Sequence, residues 1–228
     1  MTTAYTDTRG SISAIEGVYA PQEDSHLLID VMDRSGLVPG RRVVDLCTGS
    51  GVVAIGAATQ GAAEVLAFDI CPRAVRCARA NAAAAGAEVS VHLGSWTRAA
   101  EFGPFDLLVC NPPYVPHAPG EDTEEVAGPS WAWNAGRDGR LVLDPLCASA
   151  AELLVDGGTV LIVQSEFSGV ESSLDALNGC GFIAEVVAEQ QIPFGPVLSA
   201  RAKWLERMGW LQNGRREEKL VVIRADKA

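Results

Sequence analysis

Asn111-Pro112-Pro113-Tyr114 follows directly on Phe105-Asp106-Leu107-Leu108-Val109-Cys110. An apolar run of that length, bounded by turn residues, predicts an interior strand of a parallel sheet. The two prolines end it, because neither has an N–H to give a neighbouring strand. The Asn111 side chain and the carbonyls after it are then held at the strand's carboxyl end, where open α/β sheets place their chemistry. An amide oxygen and the Pro112 carbonyl, held close together, can accept both hydrogens of a planar –NH2 group, as on an exocyclic amine or a carboxamide. Tyr114 can lay a flat phenol against the same group.

Other elements must position that turn. Arg41 to Leu46 predicts a first strand, running into Cys47-Thr48-Gly49-Ser50-Gly51 and a helix over 52–58. Glycine there lets the backbone turn tightly and approach a ligand, and a helix start offers free N–H groups. Glu64 to Asp69 predicts a second strand that ends in a carboxylate about 20 residues past the glycines, a position from which it can accept both hydroxyls of a ribose. Pro72 suits the first turn of the next helix, 73–85, which Gly86 closes. Further strands are expected at 88–93, 157–164, 182–187 and 219–223, and helices at 141–155 and 168–180. Upstream, a helix from His26 has Asp24 or Ser25 as its natural N-cap. Leu198, Ala202, Leu205 and Met208 recur at helical spacing within a long insertion, 191–216, with Trp204 and Trp210 beside them.

Composition narrows the function. The 228 residues are 48% hydrophobic, enough for one domain with a full core. Thr-rich residues 1–13 read as a flexible tail, and 14–228 as a single domain carrying the helical insertion. A net charge of −11 argues against stable DNA binding through phosphates. Six cysteines without a Cys-x-x-Cys pair read as reduced core residues, and three scattered histidines predict no metal site. With neither a leader pattern nor an apolar run approaching a membrane span, a cytoplasmic protein without membrane contact is expected.

Asn-Pro-Pro-Tyr after an apolar strand, downstream of Asp45-Leu46-Cys47-Thr48-Gly49-Ser50-Gly51, resembles the class I S-adenosylmethionine-dependent amino-methyltransferases, and most of all the HemK-type protein-glutamine N5-methyltransferases. The likeness covers 15–225 apart from the insertion, and the chain is similar to the compact branch that lacks an N-terminal helical domain. It implies an α/β, Rossmann-like, seven-stranded sheet, mostly parallel with an antiparallel last strand and helices on both faces. It also implies S-adenosyl-L-methionine as cofactor, with Tyr19, Ser25, Asp45, Cys47, Thr48, Gly49, Gly51, Asp69, Ile70, Ser95, Trp96 and Asn111 lining its site. Tyr19-Ala20-Pro21-Gln22-Glu23-Asp24-Ser25 matches the family's lid over the cofactor, and Cys47 stands where many relatives have glycine. Ser95 stands where relatives carry Asp for the adenine amino group, so it can accept a hydrogen bond there only without charge. Trp96 is either a wall of the adenine pocket or ordinary core.

On the same likeness Asn111, Pro112 and Tyr114 are the catalytic residues, and Asn111, Pro112, Pro113 and Tyr114 hold the substrate. The implied reaction is N5-methylation of a protein glutamine, the Gly-Gly-Gln loop of a translation release factor being the usual target. The tetrapeptide is shared with enzymes acting on other amines, which leaves a nucleobase, a protein lysine or a small-molecule amine as the alternative. A cofactor-binding protein without catalysis is the reading from a different class. Relatives in the compact branch work with a small zinc-binding activator subunit. The Pro-rich acidic loop after Tyr114 is either substrate-facing or a solvated flap, and the insertion either caps the sheet edge or walls the substrate.

Overall fold

The structure, a computed structural model, describes residues 4–7, 10–117 and 133–228. Seven strands form one sheet: β3 (Arg42–Leu46), β4 (Glu64–Asp69), β5 (Ser90–Leu93), β6 (Phe105–Cys110), β7 (Leu154–Ser165), β8 (Phe182–Pro193) and β9 (Glu217–Lys227). Their spatial order is β5-β4-β3-β6-β7-β9-β8. All neighbours up to β7 run parallel, and β9 enters antiparallel between β7 and β8. Helices α1 (Glu23–Ser35), α2 (Val52–Thr59) and α3 (Pro72–Ala85) pack as one set and α4 (Trp96–Ala99), α5 (Leu143–Leu153) and α6 (Val170–Gly179) as another, flanking the sheet.

The chain leaves β3 towards β4 and β5, then returns to place β6 on the other side of β3. That reversal opens a crevice at the carboxyl ends of β3 and β6, the place where such sheets bind ligands. Val43, Val44 and Leu46 of β3 and Leu107, Leu108, Val109 and Cys110 of β6 are buried, so both strand ends are held by core packing on either face. All six cysteines are free thiols.

Within the stretch expected to be a flexible tail, β1 (Ala4–Asp7) and β2 (Gly10–Ser13) pair as a two-stranded antiparallel ladder; Tyr5, Thr6 and Ile12 favour extended backbone. Three expectations are corrected. Helix α1 starts at Glu23 with Gln22 as its N-cap, so neither Asp24 nor Ser25 caps it; both acids of its first turn suit the positive end of the helix. Strands β8 and β9 run to Pro193 and from Glu217, and pair as far as Pro193 with Glu217. The polar stretch Glu189-Gln190-Gln191 reads as loop in sequence, yet it continues the period of two past a bulge at Val186/Ala188. The insertion thus gives its first residues to β8 and then forms α7 (Pro196–Arg207). Leu198, Ala202 and Leu205 are buried as the spacing predicts, but Met208 is the exposed C-cap, and Leu211 closes this small core with Phe167 instead.

Arg140 fastens the segment that follows the turn after β6. Buried to 8% exposure, its guanidinium donates to the Ser168 and Gly169 carbonyls at 2.6 and 2.8 Å, to Ser173 Oγ at 3.1 Å and to Asp144 Oδ1 at 2.7 Å. Removing one donor from buried acceptors costs more than the bond itself is worth. Arg140→Met should therefore lower the unfolding free energy by about 3 kcal/mol, read as a fall in the urea midpoint at constant m-value.

Candidate active site

Two cavities lie at the crevice. The first, of about 330 Å³, is lined by the predicted Tyr19, Ser25, Asp45, Cys47, Thr48, Gly49, Asp69, Ile70, Ser95, Trp96 and Asn111. Gly51 is not among its lining residues. A side chain there would press on Ala78 of α3, so its bareness serves helix packing. Cys47 has φ +58°, a left-handed conformation that costs an L residue about 1–2 kcal/mol and that glycine would adopt freely. The turn is braced by carboxylates. Asp69 accepts the Gly49 and Cys71 N–H groups at 2.9 and 2.8 Å. Asp45 Oδ2 accepts from Thr48 Oγ1 at 2.6 Å and the Ala54 N–H at 3.1 Å. Burial pushes the Asp45 carboxyl up to about 7 against these two bonds, with Asp69 adding to the rise, and burial raises Asp69 as well. Ile70 is 71% exposed at the rim. Trp96 both lines this cavity and packs on the core, and Ser95 Oγ lies 2.9 Å from Thr97 Oγ1.

The second cavity, of about 310 Å³, shares Tyr19, Asn111 and Pro113 with the first. Asn111 is thus the partition, and its orientation is fixed: Nδ2 donates to Ser25 Oγ at 3.1 Å, which keeps Oδ1 as an acceptor. Ser25 is held by Asp24, whose Oδ1 accepts from the Ser25 N–H at 2.6 Å and from its hydroxyl at 3.3 Å. Asp24 Oδ2 accepts from Tyr19 OH at 3.1 Å and from Tyr114 OH at 3.0 Å. Burial, then the Asp24 charge, raises both phenols well above the usual tyrosine range, so they stay protonated donors. Gly139 allows the final approach: a Cβ there would overlap the Tyr114 carbonyl oxygen. Pro112, Pro113 and Tyr114 all line this second cavity.

Its far wall is Ile192 to Leu198, the start of the insertion, and its remaining lining includes Trp133, Glu23, Asp24 and Glu218. Glu218 is 6% exposed, its Oε2 has no hydrogen-bond partner among the described residues, and burial with the nearby Asp24 charge raises its carboxyl to about 7 against the Ser165 hydrogen bond. Arg201 of α7 is fully buried; it donates to the Pro116 carbonyl, lies 3.0 Å from His117 Nδ1, and sets its guanidinium 4.7 Å from the Trp133 ring centre. The insertion therefore supplies one wall of the cavity through Ile192 to Leu198 and, through Arg201, holds Pro116, His117 and Trp133. His117 is committed to this latch. The acidic Pro-rich stretch after it, and Trp131, lie outside the described residues.

Sequence reasoning did not mark Asp24, Trp133, Asn134, Arg201 or Glu218 as site residues. Asp24 had a signal, its place in the motif before Ser25. A buried arginine in an otherwise ordinary amphipathic helix gave none.

The Asp45 pKa is raised, so the folded state binds its proton more tightly than the unfolded chain, and stability falls as pH climbs from about 4 to about 7. Asp45→Asn keeps an acceptor for Thr48 and Ala54 and removes that cost. Its unfolding free energy should match the parent near pH 4 and exceed it by on the order of 3 kcal/mol at pH 8, measured by urea titration across that range.

Comparison with known proteins agrees with this geometry. Residues 11–128 match the methyltransferase small domain. A Methanocaldococcus jannaschii chain, provisionally named a protein N5-glutamine methyltransferase, is 31% identical over 81% of this chain and 91% of its own length. The release factor glutamine methyltransferase of Deinococcus radiodurans is 38% identical over 79% of this chain but 61% of its own, so the chain spans under two thirds of that bacterial relative. Among solved structures, a chain of the E. cuniculi Mtq2–Trm112 complex responsible for methylation of the eRF1 translation termination factor aligns at a TM-score of 0.63 with 21% identity, over 93% of this chain and 99% of that one. A 16S rRNA N2 methyltransferase of T. thermophilus, in complex with AdoMet and guanosine, aligns at 0.63 with 18% identity over 100% of this chain and 50% of its own. With the Asn-Pro-Pro-Tyr turn seated between two cavities at the switch of a seven-stranded sheet, this chain belongs to the methyltransferase small domain family and, within it, to the protein N5-glutamine methyltransferases.

Proposed function

We propose that the protein transfers a methyl group from S-adenosylmethionine to the side-chain amide nitrogen of a protein glutamine, with a translation release factor as acceptor. The observation that carries this reading is the Ser25–Asn111 hydrogen bond, in which one Asn111 N–H donates to Ser25 Oγ, turning the amide so that its oxygen is left for an incoming –NH2.

The residues of the first cavity suit the cofactor. Its volume lies within the usual range for small-molecule sites. Asp69 retains a free lone pair on each oxygen beyond its two backbone bonds, as two ribose hydroxyls require. Asp45 Oδ1 takes no part in the bonds to Thr48 and Ala54, and a carboxyl titrating near 7 gains from an ammonium group brought beside it. Ile70, exposed at the rim, gives an apolar cover for a ring. When bound, the cofactor supplies a methyl on a positively charged sulfur, already activated for displacement.

The chain's own part is positioning and polarisation. A carboxamide nitrogen is a poor nucleophile because its lone pair is delocalised. Asn111 Oδ1 and the Pro112 carbonyl, accepting hydrogen bonds from its two N–H groups, return electron density to nitrogen as the N–C bond forms and the S–C bond breaks; both hydrogen bonds strengthen as charge develops, and the methylated nitrogen then releases one proton to water. Tyr114, fixed by Asp24, bounds the amide's plane. Three carboxylates and no basic side chain among the described residues lining the second cavity disfavour a nucleic-acid acceptor, whose phosphates they would repel. The same acidity favours a protein lysine as the second reading. A cytoplasmic setting, and a small partner subunit like the one in the E. cuniculi complex, complete the proposal.

The test is incubation of the purified protein with methyl-labelled cofactor and release factor, tRNA, DNA or lysate, with the modified residue located by mass spectrometry. Label on a release-factor glutamine is expected; label on lysine or nucleic acid, or none anywhere even with the partner subunit added, rejects the reading. Asn111→Ala should lower kcat by about 10²–10³-fold while cofactor Kd stays within about threefold. An equal loss of cofactor affinity would show that Asn111 serves binding alone.

A further inference from the structure

The buried face of α7 does two different things. Leu198, Ala202 and Leu205 pack with Phe167 and Leu211, which seats the helix. Arg201 lies outside that apolar cluster, yet it is fully buried. A buried charge costs free energy unless it is paired, and an apolar side chain would fill the same space without that cost. The guanidinium instead reaches two other segments. Nη1 donates to the Pro116 carbonyl, Nη2 lies 3.0 Å from His117 Nδ1, and the group sits 4.7 Å from the Trp133 ring centre. A guanidinium can only donate, so His117 Nδ1 is the acceptor. The two segments are themselves paired: the Val115 N–H donates to the Trp133 carbonyl at 2.9 Å, the Ala135 N–H to the Val115 carbonyl at 3.1 Å and the His117 N–H to the Gly136 carbonyl at 2.7 Å. This pair starts one residue after Tyr114, and its Val115 and Trp133 line the second cavity.

We infer that Arg201 is a positioning residue for methyl transfer, locking the paired segments 115–117 and 133–136 so that the wall against which the acceptor amide is held keeps one shape. This rests on the proposed glutamine transfer and adds to it a residue that acts only through others, since Arg201 lines neither cavity. The planar group suits the task. Its fork fixes the Pro116 carbonyl and the His117 ring together, while its face lies against the indole that forms the wall. An error of an ångström in the placing of a reacting group can cost about 10²-fold in rate. The cofactor side is braced separately, by Asp45 and Asp69 around the Cys47 turn, and Asn134 is the one residue of the two segments that lines the first cavity. Loss of Arg201 therefore falls on the acceptor and spares the cofactor.

The experiment measures steady-state methyl transfer to purified release factor by the full chain and by Arg201→Ala. The variant should lose about 10–100-fold in kcat/KM for the acceptor, with cofactor Kd held within about threefold. Guanidinium ion at about 10 mM, well below the molar concentrations that unfold proteins, should restore most of that loss by filling the vacated place. A chain merely loosened by the substitution would be loosened further by the same ion. Arg201→Lys, which keeps a donor but loses the planar fork, should fall between the two. A second readout needs no turnover: in chains carrying 5-fluorotryptophan, the 19F resonance of Trp133, assigned with Trp133→Phe, should shift or broaden in Arg201→Ala and return with guanidinium. Unchanged acceptor kcat/KM, a loss that guanidinium does not reverse, or an unmoved Trp133 resonance overturns the inference. Should Arg201→Ala fail to fold, Arg201→Lys decides: reduced acceptor kcat/KM at the parent's thermal midpoint supports the role, and parent kcat/KM overturns it. A parent chain that puts no methyl on glutamine but shows the Trp133 response leaves the positioning standing and sinks the proposed reaction, whereas methylated glutamine with no effect of Arg201→Ala does the reverse.

Discussion

One carboxylate ties the two halves of the site together. Asp24 Oδ2 accepts the hydroxyls of Tyr19 and Tyr114, and Tyr114 is 90 residues further along the chain. Asp24 Oδ1 meanwhile fixes Ser25, and Ser25 fixes Asn111. The segment before α1 and the turn after β6 are therefore one hydrogen-bonded unit rather than two neighbouring loops. Loops placed by core packing alone would leave the Asn111 amide free to rotate, and its oxygen would face the acceptor only part of the time. A preorganised acceptor avoids that reorganisation at the moment of reaction.

The sheet supplies the frame for this unit by a simple device. Strands β3 and β6 are neighbours in space but lie on opposite sides of the reversal in strand order. Their registers, Leu46 opposite Cys110, bring the Cys47 turn and Asn111 to the same edge. The pieces that bind a cofactor and the pieces that hold an acceptor are thus adjacent because two buried strands end together. The insertion adds the outer wall. Its buried Arg201 grips Pro116, His117 and Trp133, so a helix distant in sequence sets the shape of the acceptor cavity.

Much of this was legible in the residues. Strands ending in Asp69 and Cys110 begin and stop where apolar runs meet turn residues, and the glycine turn reads directly. The predicted cofactor-site residues other than Gly51 line one cavity, and the Asn-Pro-Pro-Tyr residues line the other or the partition. What sequence could not show depends on distance along the chain. The ends of β8 and β9 look like polar loop until each is seen to pair with the other. Asp24 reads as a helix cap because a local role is all that spacing can suggest, whereas its actual partner is Tyr114. Arg201 and Glu218 are charged residues in elements with exposed faces, and only packing reveals that both are buried.

The thin partition has a consequence for ligand design. Tyr19, Asn111 and Pro113 belong to both cavities, so only a single layer of side chains separates the two chambers. A bisubstrate molecule, an adenosyl fragment joined to an amide-bearing chain by a short tether, would occupy both at once. Its second half would bind at the high effective concentration set by that tether. Inhibitors built this way would draw selectivity from the acceptor chamber, whose walls come partly from residues 192–198, rather than from the nucleoside side, whose architecture the methyltransferase fold shares widely.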